Sequence, residues 1–595
     1  MTEKLIPIEG SVPVNNHKLV GPADANQRIE VTIKLRRKSE EGLPTLEEFV
    51  AGKRSTGMTR RQLEDRHGAR HEDADTVKHW AVQHSLSVSG IDLGRRQMHL
   101  MGTVDAMSQA FGVKMAMYNH LRTGRHFRCP TSNISLPEKL VPIITGVFGL
   151  NDMPIVVRHA VRAPKRTKTA NADPRAEFPG SFYPNEVAKL YNFPPTQGAG
   201  QRVAILEFGG GFDPAVLADY FTNNIGLATP PTVNAKSVLG TQMNLADADT
   251  SEEVYLDIEV VGAMAPKATI DVYFAPWTGN GFLNAIDQAI HDDDYAAVSI
   301  SYGLDEDMRG TASNPGWPML NQNVDEAFRD ATAVGIPVFI STGDQGSGSL
   351  RGQVGQDEVT LLSKTAHAGY PATSPYATAV GGTMLYAEGG AISKEIVWNE
   401  LGDLQEGKYY FGGATGGGVS DRYKQVPSYQ SDAGITPQSV NHPPANGRGV
   451  PDVAGNSGSS TGYLVSQPPG SQFPVAPVGG TSAAAPMWAA LLACVREALN
   501  DKFNGNVPVF FFNDFVYANG KTAAFRDIVG GRQFTYDPNQ GLVPGAFIPI
   551  GNNRSTQVDG YYAKEGFDLC TGWGSPNGKA LLQQLETWLA SQHGS

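Results

Sequence analysis

The chain has 595 residues, 40% of them hydrophobic and 9% aromatic, which is too long for one ordinary domain and ample for more than one packed core. A formal net charge of −12 and a pI near 5.6 argue against nucleic acid as the main partner, and no run approaches the roughly 18 apolar residues of a membrane span. Three cysteines, Cys129, Cys494 and Cys570, cannot build a disulfide framework, and with no CxxC a structural zinc is not expected.

The opening MTEKLIPIEGSVPVNN lacks the apolar segment of a secretory signal. Residues 28–35 alternate with period two, as a half-buried strand should. Helical spacing follows over 73–85, a strand over 86–93, a short helix over 104–111 and a hairpin over 115–128. Strands and helices in this order predict a small α+β domain, residues 1–157. Residues 158–177, RHAVRAPKRTKTANADPRAE, are basic, polar and Pro-containing, with almost no apolar periodicity. They read as an exposed linker of the kind proteases nick.

From about Phe178 the character changes. Apolar runs at 202–208, 268–274, 297–301 and 337–341 read as strands buried on both faces. Helical segments at 214–223, 252–263, 281–291 and 321–334 separate them. The alternation predicts an α/β domain, residues 178–595, with a mainly parallel sheet, helices on both faces and a site beyond the carboxyl ends of the strands.

Three segments carry candidate chemistry. Gly479-Gly-Thr-Ser-Ala-Ala-Ala-Pro486 delivers Ser482 on a tight turn to the start of an apolar helix, 487–495, whose N–H groups favour developing negative charge. A plain N-cap serine would look similar, but the whole motif is more specific. The histidines after the linker, His291, His367, His442 and His593, lack the His-Gly context of a catalytic base in a subtilisin-like fold. Glu253 and Asp257, four apart on a predicted helix, share a face and could share a proton as a general base. With Glu252 and Glu259 beside them, a solvated acidic face fits the spacing too. In Ser341-Thr-Gly-Asp344-Gln-Gly-Ser347 a strand ends in a Gly-Asp turn at the same edge of the sheet. A protonated Asp344 could donate to an oxyanion, and a turn-stabilising Asp fits as well.

Together these motifs resemble the sedolisins, the serine-carboxyl peptidases, and within them the kumamolisin-like branch. The resemblance runs from about Arg28 to Leu589. It implies a subtilisin-like peptidase domain preceded by a propeptide that covers the active site as an intramolecular inhibitor, with activation cleavage in the linker and a mature start between about 170 and 182. It further implies an acid-acting endopeptidase hydrolysing protein or peptide substrates, with Ser482 as nucleophile, Glu253 as base, Asp257 modulating it and Asp344 in the oxyanion hole. Glu207 resembles an outer acid of the carboxylate network. Tyr302 stands where a tryptophan often completes it. Ser301 and Gly303, with Gly416 and Gly417, resemble substrate-flanking segments. One structural Ca²⁺ is implied, held by Asp527 and Asp568 carboxylates and the carbonyls of Ile528, Lys564 and Gly566. A monomer and an extracellular location are expected on the same ground. A tripeptidyl-peptidase, or a catalytically silent binding or chaperone module on this fold, are the alternatives.

Overall fold

The computed structural model describes residues 4–592 apart from 12–16, 51–56, 121–123, 156, 163–173, 175–177, 307–315, 349–364, 406–407, 472, 530–531, 538–540, 548–551 and 553–559. Most of the predicted linker and His593 therefore lie outside the described residues. No helix among those described is long and apolar enough to cross a membrane.

The first domain is built on a four-stranded antiparallel sheet. Its strands are β1 (Arg28–Leu35), β2 (Ser87–Asp92), β3 (Gln97–Thr103) and β4 (Ile144–Phe148), in the order β2-β3-β1-β4. Helix α1 (His71–Gln83) contributes Val77 and Trp80 to the core this sheet shares with Val31, Ile33 and Leu35. The period-two pattern of β1 is real, but its polar face does not meet water. Thr32 and Lys34 are buried against the second domain, where Lys34 forms an ion pair with Asp287. A sheet with one apolar and one polar face can bury both when a partner supplies complementary charge.

Two short strands follow, β5 (Val157–Arg158) and β6 (Val161–Arg162). The second domain then places β7 (Arg202–Glu207), β8 (Thr232–Ser237), β9 (Thr269–Phe274), β10 (Ala297–Ile300), β12 (Val338–Ser341), β13 (Thr378–Glu388), β14 (Ala391–Val397) and β15 (Val453–Asn456) in one eight-stranded sheet; β11 (Tyr302–Asp305) follows β10 directly but leaves the sheet. The order is β8-β9-β7-β10-β12-β13-β14 with β15 also paired to β13, and only β14 runs antiparallel. Helices α2 (Ala248–Met264), α3 (Gly279–Asp292) and α4 (Gly316–Ala333) alternate with these strands. Strand β16 (Val475–Gly479) leads into α5 (Thr481–Lys502).

Two hydrophobic cores flank the sheet, one centred on α2 and α5 and the other on α3 and α4. The fold is the expected α/β arrangement with helices on both faces. Two local expectations differ. The helix over 214–223 is α-helical only over Pro214–Asp219 and widens into a π turn at Tyr220–Asn224. The helix after the serine motif starts at Thr481 and continues to Lys502, because Pro486 leaves one backbone bond unmade without ending the helix.

Candidate active site

Ser482 lies in the first turn of α5, and every residue from Thr481 to Val495 is buried. A helix apolar on all sides belongs in a core, so the serine is fixed by packing. Pro486 has no N–H to give the Ser482 carbonyl four residues earlier. The Ser301 hydroxyl approaches that carbonyl at 3.2 Å and the Asp257 carboxyl at 2.7 Å. A hydroxyl has one proton. With Asp257 protonated, the chain therefore runs from Asp257 O–H to Ser301 Oγ, and from Ser301 O–H to the Ser482 carbonyl.

The acidic face of α2 is not solvated. Glu252, Glu253, Asp257 and Glu259 are all 1% exposed or less, and Asp247 caps the helix through the Thr250 N–H at 3.3 Å. Burial raises Glu253, with Glu252 adding to it, while the Ser482 hydroxyl and Arg158 oppose the rise. Burial and repulsion from Glu207 and Glu253 raise Asp257 well above the carboxylate range. Burial and Glu253 do the same to Glu207. Tyr302 donates to Glu207 Oε2 at 2.7 Å, so the phenol closes the outer end of the network. Three buried carboxyls this close hold shared protons over a wide pH range. Glu253 has neither oxygen in a satisfied hydrogen bond, and the Ser482 hydroxyl beside it is turned to the Ser301 carbonyl at 3.1 Å.

Asp344 is held by the residue before the serine. Its Oδ1 accepts from the Thr481 N–H at 2.8 Å and the Thr481 hydroxyl at 2.9 Å, and that hydroxyl accepts from the Gly343 N–H at 3.0 Å. Burial raises the Asp344 pKa well above its ordinary value. With Oδ1 accepting twice, the proton belongs on Oδ2, which has no partner.

On the same side of Gly480 as Oδ2 lies a peptide carbonyl, that of His159. Strand β5 pairs antiparallel with β11, Val157 opposite Gly303, and β6 pairs antiparallel with β16, Val161 opposite Gly479. Between them, His159 receives the Ser482 N–H on its carbonyl at 3.1 Å and donates its own N–H to the Ser301 carbonyl at 3.2 Å. A Cβ on Gly480, whose φ is 104°, would lie 2.2 Å from the His159 oxygen and 2.7 Å from Asp344 Oδ2. Only a glycine leaves room for both oxygens beside it. The His159 ring fills the space a Cβ on Gly303 would take, 2.5 Å from Cε1, and its Nδ1 meets Ser341 Oγ at 2.8 Å. Burial lowers that imidazole to about 3. The peptide bond seated at Ser482 is thus His159–Ala160, upstream of the mature start expected between 170 and 182.

Ser301 and Gly303 both meet this strand, through the His159 N–H and the Val157 register, whereas the contacts of Gly416 and Gly417 among the described residues are with the peptidase domain itself. Gly416 donates to the Gly343 carbonyl at 2.7 Å, and a Cβ on Gly417 would lie 2.2 Å from the Leu569 carbonyl. The expected Ca²⁺ loop is drawn together: Asp568 accepts N–H groups of Lys564, Cys570 and Thr571 at 3.2, 2.8 and 2.8 Å, and Asp527 accepts that of Gly566 at 2.8 Å. Burial pushes Asp568 to about 7, opposed by these hydrogen bonds and the Thr571 hydroxyl. Such a carboxylate suits a hard cation. Among the described residues no three His, Cys, Asp or Glu side chains form a metal cluster, so backbone carbonyls would have to complete the shell.

Sequence reasoning missed Thr481 and His159. Thr481 stood inside a quoted motif, and His159 inside a linker read only for its polarity.

Two family models match the chain: "Pro-kumamolisin, activation domain" over residues 15–153 and "Subtilase family" over 237–508. Kumamolisin of Bacillus sp. (strain MN-32) is 36% identical over 572 residues, covering 95% of this chain and 93% of the relative. Tripeptidyl-peptidase sed5 of Aspergillus fumigatus is 26% identical, over 76% of this chain and 72% of its own. A solved Pseudomonas sedolisin, a serine-carboxyl proteinase complexed with two molecules of pseudo-iodotyrostatin, aligns at 25% identity with a TM-score of 0.52, covering 68% of this chain and 98% of that one.

Proposed function

We infer the mechanism from one premise: the chain belongs to the sedolisins, the serine-carboxyl peptidases, in their kumamolisin branch, and is the zymogen of a serine-type endopeptidase. Ser482 is the nucleophile. Its Oγ attacks the substrate carbonyl as Glu253 takes the proton, and the same carboxyl returns it to the leaving amine; water then releases the acyl-enzyme by the reverse route. Asp257, tied to Ser301, modulates Glu253, and Glu207 with Tyr302 completes the shared-proton network. The Ser482 N–H and protonated Asp344 hold the oxyanion.

The observation that carries this reading is the His159 carbonyl, which accepts the Ser482 N–H at 3.1 Å from a strand paired antiparallel with residues 302–303. Residues 1–157 act as the propeptide and thread their own linker through the cleft; His159–Ala160 is the first bond cut. Acid action follows from the chemistry. Asp344 must keep its proton, and the carboxyl network must retain a shared one while Glu253 accepts another. The endopeptidase reading is favoured over a tripeptidyl-peptidase by the higher identity to kumamolisin, 36%, than to tripeptidyl-peptidase sed5, 26%; in the zymogen the seated strand is anchored on its amino side. Pro154 bridges to Thr278, and Ile155 donates to the Trp277 carbonyl at 2.9 Å.

One Ca²⁺ on Asp527, Asp568 and the carbonyls of Ile528, Lys564 and Gly566 would brace the loop after the cleft wall. Monomeric, extracellular action fits the family expectation. Digestion of a denatured protein between pH 3 and 7, beside Ser482→Ala, tests the function. Internal cuts in acid by the wild type alone are expected. Equal digestion by both proteins, or release of tripeptides only, would overturn it.

A further inference from the structure

We propose that Glu252 and the Asp249 carbonyl form a recognition site for a basic side chain on the residue preceding the attacked carbonyl, so that the mature enzyme selects arginine or lysine there in its protein substrates. The proposal rests on the reading of Ser482 as nucleophile and of His159–Ala160 as the seated bond.

In the strand seated in the cleft, the residue before His159 is Arg158. Its Nη1 donates to the Asp249 carbonyl and lies 3.9 Å from Glu252 Oε2. The two ends differ in exposure: Arg158 is 29% exposed, whereas Glu252 is 1% exposed. A substrate side chain can therefore enter from solvent, while the carboxylate it meets is fixed in the wall. Both acceptors belong to the first turns of α2, the helix that carries Glu253 and Asp257, so recognition and catalysis share one rigid element. A carboxylate shielded from water gains more from an incoming cation than an exposed one does, and the cation remains partly hydrated at little cost. Neutral side chains at this position would leave Glu252 without that contact. A glutamate there would add a further negative charge beside Glu252 and Glu253.

The same cation reaches the catalytic groups. Arg158 lowers the pKa of both Glu253 and Asp344. For Glu253 this favours the ionised, proton-accepting form, so a basic residue should act on kcat as well as on KM. This distinguishes the site from a simple docking contact.

The test uses acid-matured wild-type enzyme and two peptides built on Val-Arg-His-Ala that differ only in the arginine, replaced in the second by citrulline, its uncharged isostere. The expected kcat/KM is about tenfold higher for arginine, as for one partly buried charged hydrogen bond, with part of the gain in kcat. In Glu252→Gln the arginine-to-citrulline ratio should fall towards one. Equal kcat/KM for the two peptides in the wild type overturns the proposal, and so does a ratio that survives in Glu252→Gln. The wild-type comparison stands without the variant, should that substitution disturb folding. If wild type and Ser482→Ala alike cut neither peptide nor a denatured protein, the nucleophile reading has failed and this proposal falls with it.

Discussion

Arg37 fastens the propeptide to the peptidase domain, and removing it should loosen the zymogen by a calculable amount. Its guanidinium is 2% exposed and pairs with Asp330 at 2.8 Å and Glu326 at 2.7 Å, both on α4. In Arg37→Met the Asp330 carboxylate, 3% exposed, keeps Arg96 at 3.8 Å and the more distant influence of His291. Breaking a buried pair on one side costs about 3–5 kcal/mol, and the surviving Arg96 argues for the lower end. About 3 kcal/mol is roughly two powers of ten in the docked-to-free ratio of the propeptide. The pH sign follows from Asp330, whose pKa Arg37, Arg96 and His291 hold below its ordinary 3.8. Its contribution to docking is complete above 3.8 and is lost as pH falls below that value. Wild-type zymogen should therefore resist activation near neutrality and give way below about pH 4. Arg37→Met should activate at distinctly higher pH, followed by mass spectrometry against time at half-unit pH steps. Superimposable activation profiles for the two proteins would refute the clamp.

Tyr302→Phe removes the hydrogen bond that lowers Glu207, so the network should hold its proton to higher pH. The alkaline limb of kcat/KM should move up by about half to one unit; a changed melting temperature with an unmoved limb would argue for packing alone. Gly480→Ala places a Cβ 2.2 Å from the seated carbonyl oxygen at a φ of 104°, and kcat/KM should drop by at least about a hundredfold, measured on a peptide substrate. A chelator should lower the melting temperature of the wild type but not that of Asp568→Asn, whose buried carboxylate is gone. Equal shifts in both would remove the cation from this loop.

Much of this architecture was legible in the sequence because its signals are local. The mainly apolar runs at 202–208 and 297–301 read as central strands, and Gly-Thr-Ser before an unbroken apolar helix fixes where Ser482 lies. The two sides of α2 were harder. Glu253 and Asp257 at helical spacing describe a solvated face and a buried dyad equally well, and only the packing of α2 on α5 separates them. The polar half of β1 was similarly ambiguous, since alternation reports two unlike faces without saying what covers the second. His159 could not be found by pattern at all. Its role comes from β5 and β6 pairing with strands more than 140 residues away in the chain, which carries no local signature. At Gly416 the Gly-rich run does signal close backbone approach, here to the Gly343 carbonyl.

The seated carbonyl is the point on which the account turns. Wild-type and Ser482→Ala zymogens held at pH 4 should be sampled early and their new N-termini sequenced. A first fragment beginning at Ala160 from the wild type, with the variant intact, is the predicted result. An initial cut elsewhere in the linker, or the same cut in Ser482→Ala, would contradict it.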